Sequence, residues 1–173
     1  MGIALLKPFW RSERGATAVE FAMVGPVFFA ILFSMIETGW MMAKTAVLDE
    51  AVAVISRQIY TGQAPTKAAI EAAICEKAFV FHDCVNNINV EITPISAFSA
   101  PPTTDVECLD SADTSFTPAV NYATGSESQT MFMRVCITTD VLTPGLGVGL
   151  ALGKTSTGRF QLVSSTAFQN EPF

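Results

Sequence analysis

The sequence predicts an α+β protein in which an N-terminal transmembrane helix continues into a long amphipathic helix, packed by a small antiparallel sheet. Three observations predict this architecture. Residues 21–43 form an apolar stretch with a single charge, Glu37. Apolar residues then recur at three- and four-residue steps as far as Ile59, which is typical of an amphipathic helix. Beyond Cys84, apolar and polar residues alternate, which is typical of strands.

The apolar stretch is long enough to cross a bilayer. At about 1.5 Å of rise per residue, its 23 residues exceed the roughly 30 Å of a hydrocarbon core. A cleaved secretory signal is the alternative, but its apolar core has roughly 7–15 residues and is followed by a small-residue cleavage site. No such site follows the stretch before Lys44. We therefore expect a retained transmembrane helix over residues 16–43.

The charges on either side of this helix predict its orientation. Residues 1–15 carry Lys7, Arg11 and Arg14 against Glu13, and an excess of Lys and Arg marks the cytoplasmic side. Residues 44–173 are then the extracytoplasmic domain. They hold 7 Lys or Arg and 13 Asp or Glu, a net charge of −6, which argues against a nucleic-acid-binding protein.

The first helix is predicted to extend well beyond the membrane. From Ala16 to Ile59 it would measure about 66 Å if unbroken, over twice the bilayer thickness, so its outer half must pack against something. Gly25 and Pro26 interrupt the apolar stretch. We expect them to leave a simple kink, because neighbouring helices and waters can satisfy freed backbone groups within a membrane.

The remaining elements are predicted to cover the outer half of that helix. Thr66 is a suitable N-cap for a second helix, which is predicted to run from Lys67 to about Phe81. Residues 99–129 are rich in Ser, Thr, Pro and Asp and are predicted to form a long loop. Three strands are expected, at residues 88–93, 131–139 and 160–169.

The four cysteines favour disulfides in the extracytoplasmic domain. None of the spacings between Cys75, Cys84, Cys108 and Cys136 is that of a zinc site, and His82 is the one histidine of the chain. An even count in an outward-facing domain favours disulfides, for which three pairings are possible. We select Cys75–Cys84, which would close the turn from helix to strand, and Cys108–Cys136, which would tie the long loop to a strand.

Two motifs with possible chemistry do not support an enzyme. Residues 148–155 (VGLALGKT) resemble a phosphate-binding loop, but Val148 stands where the first glycine is required. We interpret them as an apolar connector resting on the membrane or on a neighbouring subunit. His82 could serve a catalytic triad, but His82-Asp83 between two cysteines is more typical of a turn. We therefore predict no catalytic residue, no metal and no cofactor.

The N-terminal segment carries a more specific pattern. Residues 13–21 read ERGATAVEF, so a glycine ends the basic leader and a lone Glu20 follows five positions later. A carboxylate at the headgroup boundary, near the N-terminal end of a helix, is one explanation of Glu20. The order also resembles the processing site of type IV-class pilins, and it is most similar to TadE-like pseudopilins of the tight-adherence (Tad) pilus. The last strand and its Asn-Glu-Pro-Phe ending (residues 170–173) resemble the same family, although Gln169 stands where arginine is more usual.

This resemblance implies a processing and assembly site. A prepilin peptidase would cut between Gly15 and Ala16, releasing the cytoplasmic leader 1–15. Glu20, followed by Phe21, would act in assembly by pairing with the new α-amino group of Ala16 on a neighbouring subunit. The implied partners are other pilins or pseudopilins and the Tad inner-membrane assembly proteins, besides the lipid bilayer.

Two functions remain open from the sequence. The first is a minor pilin or pseudopilin in the bacterial inner membrane that takes part in assembly of an adhesive pilus. The second is a single-pass anchored periplasmic domain that binds a ligand or assists an enzyme, in which case Gly15 and Glu20 have no processing role. The sequence assigns no role to Glu37, which could face a partner helix or the outer headgroups.

Overall fold

The computed structural model describes residues 15–61, 63, 65–96, 108–113 and 121–172. Most of the predicted leader, much of the 99–129 loop, and Phe173 lie outside the described residues. The elements follow the predicted order, and the α+β, pilin-like class is confirmed. They are α1 (Ala16–Tyr60), α2 (Lys67–Lys77), a 3-10 turn (Cys84–Asn86), β1 (Ile88–Pro94), β2 (Thr130–Thr139), the short α3 (Val148–Ala151) and β3 (Phe160–Gln169).

Helix α1 is one continuous element of 45 residues, about 68 Å long at 1.5 Å per residue. Pro26 lies inside it and does not end it. The helix ends at Thr61, whose hydroxyl donates hydrogen bonds to the carbonyl oxygens of Arg57 and Gln58 at 3.2 and 3.0 Å. Pro65 follows shortly afterwards, which is typical of a helix C-terminus.

Helix α2 begins as predicted but ends earlier. The Thr66 hydroxyl accepts a hydrogen bond from the amide of Ala69, so Thr66 is the expected N-cap. The helix stops at Lys77 and does not reach Phe81, because the chain turns at Ala78 and brings Cys84 back beside Cys75. Phe81 is nevertheless buried in the core, since the turn directs it inwards.

The three strands form one antiparallel sheet in the order β1-β2-β3. Val90 pairs with Val135, which in turn pairs with Ser164. Because side chains alternate along a strand, one sheet face carries a continuous set of apolar residues. That face packs on the outer half of α1, and β3 makes the most extensive contact with the helix.

The core therefore lies between the sheet, α2 and the outer half of α1. Helix α1 contributes the face that the helical spacing predicts, and α2 adds two isoleucines. The buried members are Leu48, Ala51, Val52, Ile55 and Ile59 of α1, Ile70 and Ile74 of α2, Ile88, Val90 and Ile92 of β1, Met131, Met133, Val135 and Ile137 of β2, and Leu162 of β3.

Strand β1 departs from a simple alternation, because its polar residues are buried as well. Glu91 forms an ion pair with Arg134 across the β1–β2 register, with 2.7 Å between Oε2 and Nη2. The Lys67 ammonium lies 2.7 Å from Asn89 Oδ1. These partners satisfy the polar groups, so both faces of the strand can be covered.

Candidate processing and assembly site

Gly15 and Ala16 lie where α1 begins. Gly15 is the N-terminal flanking residue, with φ −86° and ψ −15°, a conformation open to any residue. A Cβ added to Gly15 would meet nothing within 4 Å among the described residues. The fold therefore gives no steric reason for a glycine here. A peptidase that needs close approach to the backbone would give one.

Glu20 lies one helical turn beyond Ala16, and positions four apart lie on the same face of a helix. Helical side chains tilt toward the N-terminus, so the Glu20 carboxylate is directed toward the level of the Ala16 nitrogen. Every described residue from Gly15 to Val24 is exposed, Glu20 included. The carboxylate is therefore free of the folded domain and available to a neighbouring chain.

Phe21 follows Glu20 and packs along its own helix. Its ring lies 3.4 Å from the position that a Cβ on Gly25 would occupy, and Gly25 is buried beneath it. Most of the Phe21 side chain still faces outward. The four predicted processing and assembly residues are thus grouped within the first two turns of α1, remote from the sheet.

The surface around this site is apolar on all sides. Within the described residues, α1 is the one helix long and apolar enough to span a membrane, which is consistent with single-pass anchoring. Its large side chains between Val19 and Trp40 are exposed. They are Val19, Phe21, Met23, Val24, Val27, Phe28, Phe29, Ile31, Leu32, Phe33, Met35, Ile36 and Trp40.

The mostly exposed part of α1, between Val19 and Ile36, is here called the bare half. Glu37 lies where this bare half meets the rest of the protein. Its side chain is 0 % exposed. The carboxylate accepts hydrogen bonds from the amides of Leu142 (3.2 Å) and Thr143 (2.7 Å), and from the Thr143 hydroxyl (2.9 Å). The interpretation that Glu37 faces a partner helix or headgroups is therefore wrong, because it holds the segment that links β2 to α3.

Lys44 lies two turns further along α1 and is also buried. Its ammonium donates to Thr139 Oγ1 at 2.6 Å and to the Asp140 carbonyl at 3.3 Å. Burial lowers the pKa of Lys44, although Asp140 and Glu37 oppose the shift. Together Glu37 and Lys44 attach the end of β2 and the following segment to α1.

A polar cluster surrounds Arg159 at the end of the sheet where β2 ends and β3 begins. Its guanidinium lies 3.1 Å from Asp110 and 3.0 Å from Asp140, and it donates to Asn87 Oδ1 at 2.5 Å. Burial alone would raise the pKa of Asp110, but hydrogen bonds from Thr157, the Ala112 amide and Arg159 outweigh it and lower that pKa. The cluster ties residues 108–113 to β3, and His82 lies at its exposed edge.

The cysteines lie in the two pairs that the sequence predicts. Cys75 at the end of α2 lies beside Cys84, with 5.7 Å between their Cα atoms. Cys108 lies beside Cys136 of β2, with 5.2 Å between their Cα atoms. Both separations are in the range that a disulfide spans. Each pair holds a connection outside the regular elements against the outer domain.

Asn170 and Glu171, the first two residues of the C-terminal tetrad, lie at the far end of the domain. Asn170 is buried, and its side-chain Nδ2 donates to the carbonyl oxygens of Thr124 and Ser126 at 2.9 and 3.1 Å. The Glu171 amide donates to the carbonyl of Tyr60 at 3.1 Å. Glu171 therefore links the chain just after β3 to the last residue of α1.

Comparison with known proteins bears on the first part of the chain. Residues 15–57, about a quarter of the chain, match the family model described as TadE-like protein. The predicted resemblance to the TadE-like family, which is related to the Tad pilus, is therefore confirmed over these residues. No curated protein and no solved structure matches the chain. The resemblance of the C-terminal tetrad stays a prediction.

Proposed function

We propose, from the TadE-like character of residues 15–57, that this chain is a minor pilin or pseudopilin that takes part in assembling a Tad-type adhesive pilus. One observation carries the proposal. Gly15, Ala16 and Glu20 lie on the first turns of a bare apolar helix that matches the TadE-like family model. The role is structural and non-catalytic.

The shape of the molecule supports a subunit that moves from a bilayer into a polymer. The outer half of α1 is covered by the sheet of the same chain, whereas the inner half is left uncovered. An apolar helix without a cover is stable only in lipid or against other apolar helices. The inner membrane provides the first environment, and packing between subunits provides the second.

The exposed Glu20 provides the selective contact in this polymer. A carboxylate within a bilayer costs roughly 2.5–3.5 kcal/mol at the centre of a helix and less near an interface. Cleavage after Gly15 creates a positively charged α-amino group on Ala16. Pairing that amine with Glu20 of a neighbour neutralises both charges, and the attraction is stronger in apolar surroundings than in water. Subunits that are trimmed and adjacent are therefore favoured.

This function places the chain in the bacterial inner membrane. Residues 1–15 face the cytoplasm and are removed by a prepilin peptidase, α1 spans the bilayer over residues 16–43, and residues 44–173 form the periplasmic domain. Other pilins or pseudopilins and the Tad inner-membrane assembly proteins are the partners. The disulfide pairs suit the periplasm, where disulfides form and persist.

The test is to remove the Glu20 carboxylate and to leave the cleavage site intact. Cells with Glu20→Ala are expected to produce protein that is cleaved after Gly15 but to lose their pili. Glu50→Ala is the matched control, because Glu50 is an exposed glutamate on the covered half of the same helix. The control is expected to retain both cleavage and pili. Normal pili in the Glu20→Ala strain would contradict the role of Glu20 and favour a simple anchored periplasmic domain.

A further inference from the structure

The segment between β2 and β3 has an unusual surface for an extracytoplasmic loop. Residues 141–153 (VLTPGLGVGLALG), here called the apolar loop, contain no charged side chain. Four of their large side chains are exposed, among them Leu150 at 66 % and Leu142 at 55 %; the other two are Leu146 and Val148. Such a patch is unfavourable in water, so something apolar is expected to cover it.

The apolar loop lies against the bare half of α1. Gly147 approaches the helix so closely that a Cβ would overlap Ser34 Oγ and lie 2.9 Å from the Ala30 carbonyl oxygen. Gly147 also has φ +56°, which favours glycine. The Val148 amide donates to Ser34 Oγ at 3.1 Å, and Glu37 holds the start of the loop. The contact therefore extends along α1 from Ala30 to Glu37.

Counting along α1 gives the depth of this contact. Charged residues at 11, 13 and 14 precede the helix, so the hydrocarbon cannot begin much before Ala16. About 20 residues cross the core, which brings its outer edge to about Met35 if it starts at Ala16, and to about Gly39 if it starts at Glu20. Ala30 and Ser34 lie inside that edge with either starting point. The apolar loop is thus at the level of the outer leaflet.

The backbone of the apolar loop is suited to that location. Non-helical backbone is costly near hydrocarbon unless its polar groups are paired. Six backbone amides of the loop donate hydrogen bonds. The amides of Leu142, Thr143 and Val148 bond to side chains of α1, and those of Leu146, Leu150 and Leu152 bond to carbonyl oxygens within the loop. Lys154, just after the loop, donates to the Pro144 carbonyl at 2.7 Å. The exposed surface that remains is mainly aliphatic.

We propose that the apolar loop is a second membrane contact, which inserts Leu142, Leu146, Val148 and Leu150 into the outer leaflet beside α1. Val27 and Ile31 of the helix are exposed and lie within one turn of Ala30 and Ser34, the residues that the loop contacts. The proposal rests on α1 spanning the bilayer and is independent of pilus assembly. It gives the domain a fixed orientation on the membrane, with the start of β3 and the Arg159 cluster close to the headgroups.

The experiment places a single tryptophan at one of three positions in the full chain, with Trp10 and Trp40 replaced by phenylalanine. The loop variant is Leu150→Trp, the helix variant is Ile31→Trp on the bare half of α1, and the domain variant is Phe79→Trp, where Phe79 is 80 % exposed on the outer domain. Each is reconstituted in phosphatidylcholine–phosphatidylglycerol vesicles with or without brominated acyl chains. Tryptophan emission is measured, and far-UV circular dichroism verifies the fold.

Brominated lipid should quench the helix variant and the loop variant and leave the domain variant unaffected. For the loop variant we expect about a twofold loss of emission, since an interfacial apolar segment is buried roughly 5–10 Å below the headgroups.

Quenching of the helix variant without quenching of the loop variant would overturn the loop proposal alone. No quenching of the helix variant would defeat membrane anchoring and the loop proposal together. A blue shift of the loop variant that grows with protein density, without quenching, would assign the loop to a second copy of the chain and also overturn it.

Discussion

The two halves of α1 differ in how their apolar residues are arranged and in what surrounds them. In the outer half, between Lys44 and Ile59, apolar residues occupy one face and are buried by the sheet and α2. In the inner half, between Val19 and Ile36, apolar residues occupy every face, and most of them are exposed. A one-sided apolar pattern interrupted by charges therefore marks the half that packs on its own domain, and an apolar surface on every side marks the half left available to lipid or other subunits.

Glu37 and Lys44 lie at the border between these halves. Both are charged residues that are buried and hydrogen-bonded to the segment following β2. Truncation of either one leaves partly or fully buried polar groups without these partners, which is costly. Specific hydrogen bonds thus define the border, and substituting Glu37 or Lys44 tests them without changing the apolar residues of either half.

The largest effect is expected from truncating the covered face of α1. Ile55→Ala removes a fully buried side chain from the core and should lower the free energy of unfolding by about 3–4 kcal/mol. Ile31→Ala is the matched control on the bare half, and it should change that free energy by less than about 0.5 kcal/mol. Guanidinium unfolding of the micelle-bound protein, followed by near-UV circular dichroism, measures both. Equal losses at the two positions would show that the bare half is also part of the folded core.

The disulfide pairs stabilise only the covered half. Replacing both Cys108 and Cys136 by serine should cost about 3.5 kcal/mol, and replacing Cys75 and Cys84 about 2.5 kcal/mol, because the first pair closes the longer loop. Non-reducing peptide mapping should link the same pairs. Free thiols at all four positions in protein isolated from the periplasmic face would defeat both the pairing and the assigned topology.

A smaller loss is expected at the border. Glu37→Ala leaves the amides of Leu142 and Thr143 without their acceptor and should cost about 2 kcal/mol. Hydrogen exchange at those two amides should accelerate, whereas Glu50→Ala should leave it unchanged. Slow exchange at Leu142 and Thr143 in the Glu37→Ala protein would mean that the apolar loop is held in place by other contacts.

The smallest effect concerns acid stability of the Arg159 cluster. The pKa of Asp110 is lowered in the folded state, so its ionised form is favoured by folding. This contribution is complete above the unfolded pKa of about 3.9 and is lost as the pH falls through the folded pKa. The free energy of unfolding should therefore decline below about pH 4, and less steeply in Asp110→Asn than in Glu50→Gln. Identical slopes in the two variants would remove Asp110 from this role.

Much of the fold could be predicted because its signals are local. The strands expected at residues 160–169 and 131–139 match the observed bounds of β3 and, within one residue, of β2, and Thr66 marks the start of α2. The end of α2 was wrong by about four residues, because the apolar residues at 78–81 continue the helical pattern after the chain has turned. The sequence cannot show such a turn, since it depends on the approach of Cys84 to Cys75.

One part of the candidate site could also be predicted from local signals, and another part could not. Gly15 and Glu20 are recognisable because their spacing is itself the signal. The partners of Glu37 were not predictable, because they are backbone amides about a hundred residues away and any residue type provides an amide. A lone acid in an apolar stretch was the available signal for a buried contact. The glycines of the apolar loop were a second signal, since Gly147 allows the close approach to α1.

Whether the chain is a processed subunit can be decided from the intact mass of the membrane-extracted protein after co-expression with a prepilin peptidase. If the bare half of α1 belongs to a trimmed pilin-like subunit, the mass should fall by that of residues 1–15 and the amino terminus should be Ala16. A bulkier residue in place of Gly15 should deny the peptidase close approach to the backbone, so that this variant retains the full mass. The variant should still fold, because a Cβ at this position meets nothing within 4 Å among the described residues. An unchanged start at Met1 in the native chain, or a cut beyond Ala43, would contradict the account.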